Sequence, residues 1–426
     1  MMITITWSLA ALVGRGLAPR RPPPTHRPPP AGDKPPPYVA LPRYVDSAGR
    51  KAPRHGATKS LLALAVLGLC ACDAPRAWEV ERLFAVEERG FFQFFYWPAD
   101  FALGPDGTPY ALYITRDLNP TYPNPDPHFQ ELITHLDRRT SNGWETVEEW
   151  DGDVWGETYG SSLELAWGRI HLASPYRWRE LAGGPWTEEP ACIGGNLIVD
   201  PATGALARSR GDQTVGLRAP DGTWTQEPWP PPDANGSNTA LAYAPNGDLH
   251  GCYFSVTELK HARLVGDTWE TELVDPDALW SGWCAVGVLG DGTVRIAYLW
   301  AARTGEPHVL RVATSRGGTW EMETFAERHI GNVPYDRPWF VVDNEDTTHL
   351  TFVTPPSCTA PCDGFELTYA NDRSGSWHFD LVGRLPSDVS PLLAVDSAGR
   401  AHIVYNLSTL PDDRAGIYYA HQKEAP

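Results

Sequence analysis

Short apolar runs, rich in β-branched and aromatic residues and bounded by turn residues, recur along most of the chain. The C-terminal set shows the unit most clearly: PLLAVDSAG, then RAHIVYN, then GIYYAHQ. Each run has the length and composition of a β-strand, and the breaks between them are turn signals. GNLIVDPATG, NTALAYAPNG, AVGVLGDG and WFVVDNED repeat the first run; THLTFV, TVRIAYLW, DLHGCYF and TPYALYI repeat the second. FELTYANDRSGSW, HVLRVATSRGGTW, LKHARLVGDTW and QTVGLRAPDGTW carry the third run into a tryptophan. That tryptophan opens a fourth, acidic run: WETVEEW at Trp144, WTEEP at Trp186, WTQEPW at Trp224, WETELV at Trp269, WEMETF at Trp320 and WHFDLV at Trp377. A shorter set beginning at Ser161 keeps the same order, as SLELAWG, RIHLASP, RWRELAGG and PWTEEP.

One copy breaks the pattern. WEVERL at Trp78 follows no complete set, while the last set, ending near His421, has no tryptophan strand of its own. An orphan strand at the start and a vacancy at the end predict a ring closed by pairing the chain's two ends, with no unpaired seam. Four strands per set, repeated seven times, predict an all-β fold, a seven-bladed β-propeller with four-stranded blades. Six blades, with 161–190 as an insertion, is the alternative. Roughly 350 residues over seven blades is about 50 per blade, an ordinary propeller period.

The connections are unequal. Turns from first to second runs (PDG, PNG, GDG, SAG) and from third to fourth (SNG, AGG, RGG, RSG) are tight and open on one face. The stretches 116–130, 151–160, 275–283, 301–307, 326–337 and 355–364 are long and irregular and share the other face. Long variable loops carry recognition more often than tight turns do, so a site is expected on the long-loop face, around the central channel.

Composition narrows the partners. With 42% hydrophobic residues, 18 Trp and 16 Tyr, the chain can bury a large core, and 76–426 is expected to be a single propeller domain. A net charge of −18 argues against nucleic acid, which needs clustered Lys and Arg, and against docking on an anionic membrane surface. Residues 1–58 are basic and proline-rich, with RPPPTHRPPP and DKPPP, and cannot bury a core. They are expected to be non-structured or to lie upstream of the true translation start, which falls somewhere after about residue 40. Residues 59–72 read as a lipoprotein signal peptide: after the basic RKAPRHGATK, LLALAVLGL is too short to span a bilayer but suits a secretory h-region. Leu69-Cys70-Ala71-Cys72 resembles the bacterial lipobox, which implies a diacylated Cys72 as the mature N-terminus. The expectation is a monomer in the bacterial cell envelope, periplasmic or at the cell surface, touching the membrane only through its lipid. Export means an oxidising compartment. Cys358 and Cys362 flank Thr-Ala-Pro and are expected to close a small disulfide; no second Cys or His pair nearby favours zinc. Cys252 and Cys284 lie in neighbouring sets and can pair, leaving Cys192 free.

The turn entering the fourth run resembles the BNR/Asp-box repeat of sialidase-like propellers, Ser-x-Asp-x-Gly-x-Thr-Trp. Thr319-Trp320, Thr268-Trp269 and Thr223-Trp224 keep its end, Gly317 and Gly266 keep its glycine, and Asp372, ahead of Ser376-Trp377, keeps its aspartate. The resemblance covers the whole exported part, but the motif is structural and degenerate, and it implies the fold rather than an activity. A sialidase-like enzyme would need three arginines around a substrate carboxylate, a Tyr–Glu nucleophile pair and an acid/base Asp. A polysaccharide lyase on the same fold would need a His or Tyr base and a neutralising Arg.

Residues that recur set by set, the tryptophans and His250, His349 and His402, read as packing or turn groups rather than catalysts. Non-repeating residues on the long-loop face are the candidates. In GNVPYDRPWF, Tyr335, Asp336 and Arg337 immediately precede an inner strand and so aim at the channel mouth; the planar fork of an arginine suits a carboxylate. Equivalent positions hold Tyr159, Asn196, Asn238, Trp283 and Asp388, so no arginine triad is visible. His128 and His329 lie in long loops, but no spacing singles them out. The two carboxylates of a glycosidase would come from Asp151, Asp153, Asp336 and Asp388. DGD at 151–153 and PNPDP at 123–127 offer hard oxygens to Ca²⁺ without the full spacing of a site, so no metal or cofactor is expected. The first expectation is a non-catalytic, lipid-anchored propeller binding a glycan or protein on its long-loop face, where Trp155, Tyr159, Trp280, Trp283 and Tyr335 offer aromatic faces. The alternative is a carbohydrate-active enzyme, a sialidase-like glycoside hydrolase or polysaccharide lyase. It would show perturbed carboxylates or a His/Tyr–Arg pair converging on one pocket in the channel mouth.

Overall fold

A run that is apolar almost throughout is stable as a strand only when both its faces are covered. In the computed structural model the second strands are covered in this way: Leu249–Ser255, Thr348–Thr354 and Ala401–Leu407 are buried along their whole length. The fourth strands are not. Thr268–Asp275 leaves its middle exposed and seats its tryptophan and its last two residues. The structure describes residues 77–85, 97–117, 131–152, 162–166, 168–173, 176–188, 197–200, 203, 205–210, 214–219, 222–229, 240–255, 257–278, 283–301, 308–330, 339–354, 364–385, 389, 391–407 and 416–424.

Among these, 28 strands form seven four-stranded antiparallel sheets, and the protein is a seven-bladed β-propeller. In blade one, Trp97–Leu103, Pro109–Asp117, Glu131–Thr140 and Gly143–Gly152 follow one another from the innermost strand to the outermost. Blades two to six repeat this order from the inner strands Leu163–Ala166, Leu197–Val199, Ala240–Tyr243, Cys284–Val288 and Trp339–Val342. Neighbouring innermost strands touch in an unbroken cycle, so the set at Ser162 is a full blade and not an insertion. Blade seven holds Leu392–Val395, Ala401–Leu407 and Gly416–Gln422, and its outer strand is Trp78–Ala85 from the other end of the chain. The closing ladder runs from Trp78↔Gln422 to Ala85↔Gly416, with a bulge between Arg82 and Phe84. The Lys423 N–H prolongs it by donating to the Ala77 carbonyl at 2.9 Å.

The core is distributed as seven apolar clusters, one between each pair of adjacent blades. Between blades four and five it includes Phe254, Val286, Ile296 and Tyr298; between blades seven and one it includes Phe101, Tyr113, Val404 and Tyr419. Among the described residues it is smallest between blades two and three, where Ala173, Leu197 and Leu206 are fully buried. The Cys252–Cys284 disulfide, Cα atoms 6.3 Å apart across 32 residues, ties blade four to blade five. A cross-link of that span contributes about 3–4 kcal/mol in the chain-entropy model.

The recurring tryptophans join blades. Trp78 meets Tyr369 of blade six edge-on, with ring centres 5.4 Å apart. Trp144 of blade one meets Tyr419 of blade seven at 5.3 Å, and its indole N–H donates to Glu81 at 3.0 Å. Trp377 of blade six likewise donates to Glu323 of blade five at 2.9 Å. Glu81 and Glu323 each stand three residues after the tryptophan of the preceding blade. At these two seams the acid of one blade's fourth strand accepts the indole N–H of the next blade's tryptophan. The tight first turns put glycine at positive φ, as at Gly247 (88°) and Gly399 (66°), but blade six uses Asp346 at 62°. Its carboxylate accepts the Gly290 N–H of blade five, which offsets the strain.

Trp78→Ala removes a half-buried indole shared by blades six and seven. It should lower the stability of the whole ring by about 2–3 kcal/mol, read as an equal shift of every probe in urea unfolding. A separate early transition confined to blade seven would show that the ring is not closed cooperatively.

Candidate functional site

Each innermost strand borders the channel, so a polar side chain there is what a ligand entering the channel would meet. The residues paired with His250, His349 and His402 on these strands are Ala242, Val341 and Ala394. Blade two carries Glu164 at that position, opposite His171. Register partners share a face, and on the face of His171 Ala173 joins Leu197 and Leu206 of blade three. Glu164 therefore stands at the interface of blades two and three. Asp100, on the inner strand of blade one, follows a bulge that breaks the ladder between Pro98 and Asp100.

The two acids have different environments. Asp100 Oδ2 accepts the Ser162 hydroxyl at 2.7 Å and the Leu163 N–H at 2.8 Å, and Oδ1 accepts the Phe101 N–H at 2.7 Å. Burial pushes its carboxyl up to about 6, against the lowering pull of those three hydrogen bonds. Asp100 thereby pins blade two to blade one. Among the described residues nothing donates to the Glu164 carboxylate. Burial, and then the charge of Asp100, push Glu164 up to about 8. Part of its side chain stays open to solvent, as suits a residue bordering the channel, yet the surrounding protein excludes enough water to favour the neutral acid. The arrangement is one carboxylate fixed by hydrogen bonds beside one neutral carboxylic acid with its donor unassigned.

The other polar networks brace the fold. The Tyr298 hydroxyl and Arg311 Nη1 both donate to Asp275 Oδ2, at 2.6 and 3.0 Å, and the guanidinium lies 3.6 Å from the Trp300 ring centre. This is a Tyr–Arg–acid set, but Tyr298 and Asp275 are buried between blades four and five. His349 bridges Asp343 at 2.9 Å and the Tyr369 hydroxyl at 2.6 Å. His402 bridges Asp396 at 3.4 Å and the Tyr419 hydroxyl at 2.6 Å. Burial opposes ionisation of Asp343, but the His349 bond and the Thr347 and Glu345 N–H groups hold it below the usual carboxylate range. His250 contacts His261 at 2.9 Å, and His261 contacts Glu272 at 2.8 Å. All three recurrent histidines are buried, as packing groups should be. Asp372 accepts the Thr348 N–H at 2.7 Å and the Arg295 guanidinium of blade five, so this Asp-box-like residue is a staple between blades.

Of the long-loop candidates, Trp283 is described: it leads into the inner strand of blade five, partly buried against the cluster of Leu299, Phe325 and Phe352. Tyr159, Asn196, Asn238, Tyr335, Asp336, Arg337 and Asp388 lie outside the described residues, as do Cys72, Cys358, Cys362, His128 and Asp153. No group of three His, Cys, Asp or Glu side chains among the described residues could hold a metal ion. Attention to the loops passes over Asp100 and Glu164. The signal available for them is an acid inside WPADFAL and SLELAWG, in strands that other sets fill with Ala, Val and Leu.

No family model and no curated protein matches the chain. Solved structures do. A protein of unknown function from Dyadobacter fermentans has 12% identity and a TM-score of 0.45, over 81% of this chain and 99% of that one. YCF48 from Cyanidioschyzon merolae has 11% identity and a TM-score of 0.46, over 81% and 98%. An alpha-L-arabinanase from Penicillium chrysogenum, complexed with arabinobiose, has 11% identity and a TM-score of 0.42, over 81% and 97%. At these scores the likenesses carry no argument about chemistry, and the fold rests on the strand pairing itself.

Glu164→Gln keeps the shape of the side chain and removes its titration. A carboxyl raised from 4.5 to about 8 keeps its proton in the folded chain where the unfolded chain has lost it. Its contribution to stability is therefore full below the unfolded value and is lost as pH rises through the folded one. Between pH 5 and 8 the Tm of the wild type should fall relative to the variant, by roughly 2–4 °C per kcal/mol of linkage. Parallel Tm curves would contradict the raised carboxyl.

Proposed function

We propose that the protein is an exported, lipid-anchored propeller that binds a glycan at the long-loop mouth of its channel without transforming it. The division between Asp100 and Glu164 carries this reading. A glycosidase uses two available carboxylates, one to protonate the leaving group and one as base or nucleophile. Here Asp100 is saturated by three hydrogen bonds that hold blades one and two together. A neutral Glu164 donates to a hydroxyl, ether or carbonyl oxygen, which is chemistry of recognition. In this reading Tyr159, Asn196, Asn238, Trp283, Tyr335, Asp336, Arg337 and Asp388, which precede the inner strands in sequence, complete the site. The Cys252–Cys284 disulfide supports export, since such bonds persist in oxidising compartments. The Leu69–Cys72 lipobox resemblance makes Cys72 the anchor. A second reading, a carbohydrate-active enzyme, draws on the same observation: a carboxylic acid kept neutral near pH 7 is the general acid that glycoside hydrolysis uses.

The full chain, incubated with a panel of glycans, should retain one class and release no product. Retention should weaken at least about tenfold in Glu164→Leu, and should weaken in the wild type as pH rises past 8. Product release would replace the binding reading with the enzyme; no retention would transfer the site to a protein partner. Separately, Cys72→Ala should abolish labelling by a fatty-acid analogue, and persistent labelling would refute the anchor.

A further inference from the structure

Blade five departs from its neighbours at the start of its second strand. Where blades four, six and seven place His250, His349 and His402 against their inner strands, blade five places Arg295 opposite Gly287. Arg295 reaches out of its own blade to Asp372 and Thr348 of blade six. Above that ion pair lies a cavity of about 330 Å³, walled by the outer strands of blade five and by the turn that leads into Trp377. Its volume falls at the small end of ligand pockets. Arg295 and Asp372 adjoin tight turns, so the cavity opens away from the long-loop mouth.

The lining is chemically specific. Arg316 and Thr314 offer donors and Glu321 and Glu323 acceptors on the blade-five wall, and Ser376 adds a hydroxyl on the facing turn of blade six. The apolar surface comes from Val312 and from the Trp377 ring, which is fixed by its N–H bond to Glu323 at 2.9 Å. Arg295 is neutralised by Asp372, and Arg316 by Glu321 at 3.4 Å, which leaves Glu323 with the Trp377 N–H and no cation partner among the described residues. A fatty or purely aromatic ligand would strip water from these charged walls without replacing its hydrogen bonds. A ring of hydroxyls replaces them, because each hydroxyl both donates and accepts, and its C–H face fits the indole.

We propose that this rim pocket between blades five and six is a second ligand site, taking a single pyranose that is uncharged or amine-bearing. The charge of Glu323 attracts an ammonium and repels a carboxylate, which sets the preference. The site does not rest on the channel-mouth reading.

The test is calorimetric titration of the full chain with methyl glucoside, glucosamine and glucuronate. Glucosamine should bind more tightly than methyl glucoside, both with Kd near roughly 1 mM as befits so small a contact, and glucuronate should not bind. Ser376→Trp, at an exposed turn position, fills the pocket and should abolish binding without moving Tm. Thr314→Tyr blocks the opposite wall and gives the same reading should the first variant fail to fold. Glu323→Gln should erase the preference for the amine. Glu164→Leu should change nothing, which separates this site from the channel. Absence of binding by the wild type, equal binding of glucuronate, or binding that survives both blocking variants overturns the proposal.

Discussion

The pairing of Trp78–Ala85 with Gly416–Gln422 is the constraint on which the rest of the molecule depends. Each blade of a propeller contacts only its neighbours, so an open array would leave two apolar faces uncovered. The closing strand touches both sides. Trp78 lies on Tyr369 of blade six, while Glu81 receives Arg139 at 2.6 Å and Trp144 at 3.0 Å from blade one. The first described strand therefore completes the last blade and offers blade one its acceptor. The interface of blades seven and one, with Phe101, Tyr113 and Tyr419, exists because of that closure.

Closure does not make the seams equal. Blades four and five share a broad core, the Asp275–Tyr298–Arg311 network and a disulfide. Blades two and three share a small core and, at the channel, Glu164. The best-braced seam thus lies two seams away from the candidate site, while Glu164, to which no described residue donates, stands at a seam with a small described core. The low-stability parts of a fold are where binding elements are commonly found. Asp100 limits how far that seam can loosen, since its bonds to Ser162 and Leu163 hold the start of blade two to blade one.

The propeller was legible because repetition exposes register: the orphan strand at Trp78 and the vacancy after His421 predict the observed closure, and the short set at Ser162 is a full blade. The reason for an acid three residues after the tryptophan was not legible. It requires Trp144 to meet Glu81, 63 positions away, and Trp377 to meet Glu323, 54 away, which blade packing alone brings about. Glu164 and Asp100 are visible as acids in apolar strands, but their opposite roles come from neighbours on other strands. Burial decides the state of one and Ser162 and Leu163 decide the role of the other. Trp283 shows the same limit, for its position before an inner strand was legible whereas its packing against Phe325 and Phe352 was not. The long-loop residues have no repeat to fix them, and sequence yields their chemistry without their placement.

If closure governs the fold, the amides of Trp78–Ala85 must open only when the whole ring opens. Native-state hydrogen exchange measures this directly, as protection against denaturant concentration. The closing strand should exchange with the same free energy and the same steep denaturant dependence as Ala401–Leu407 at the centre of blade seven. Exchange of Trp78–Ala85 through small, denaturant-insensitive openings, with Ala401–Leu407 still fully protected, would contradict it.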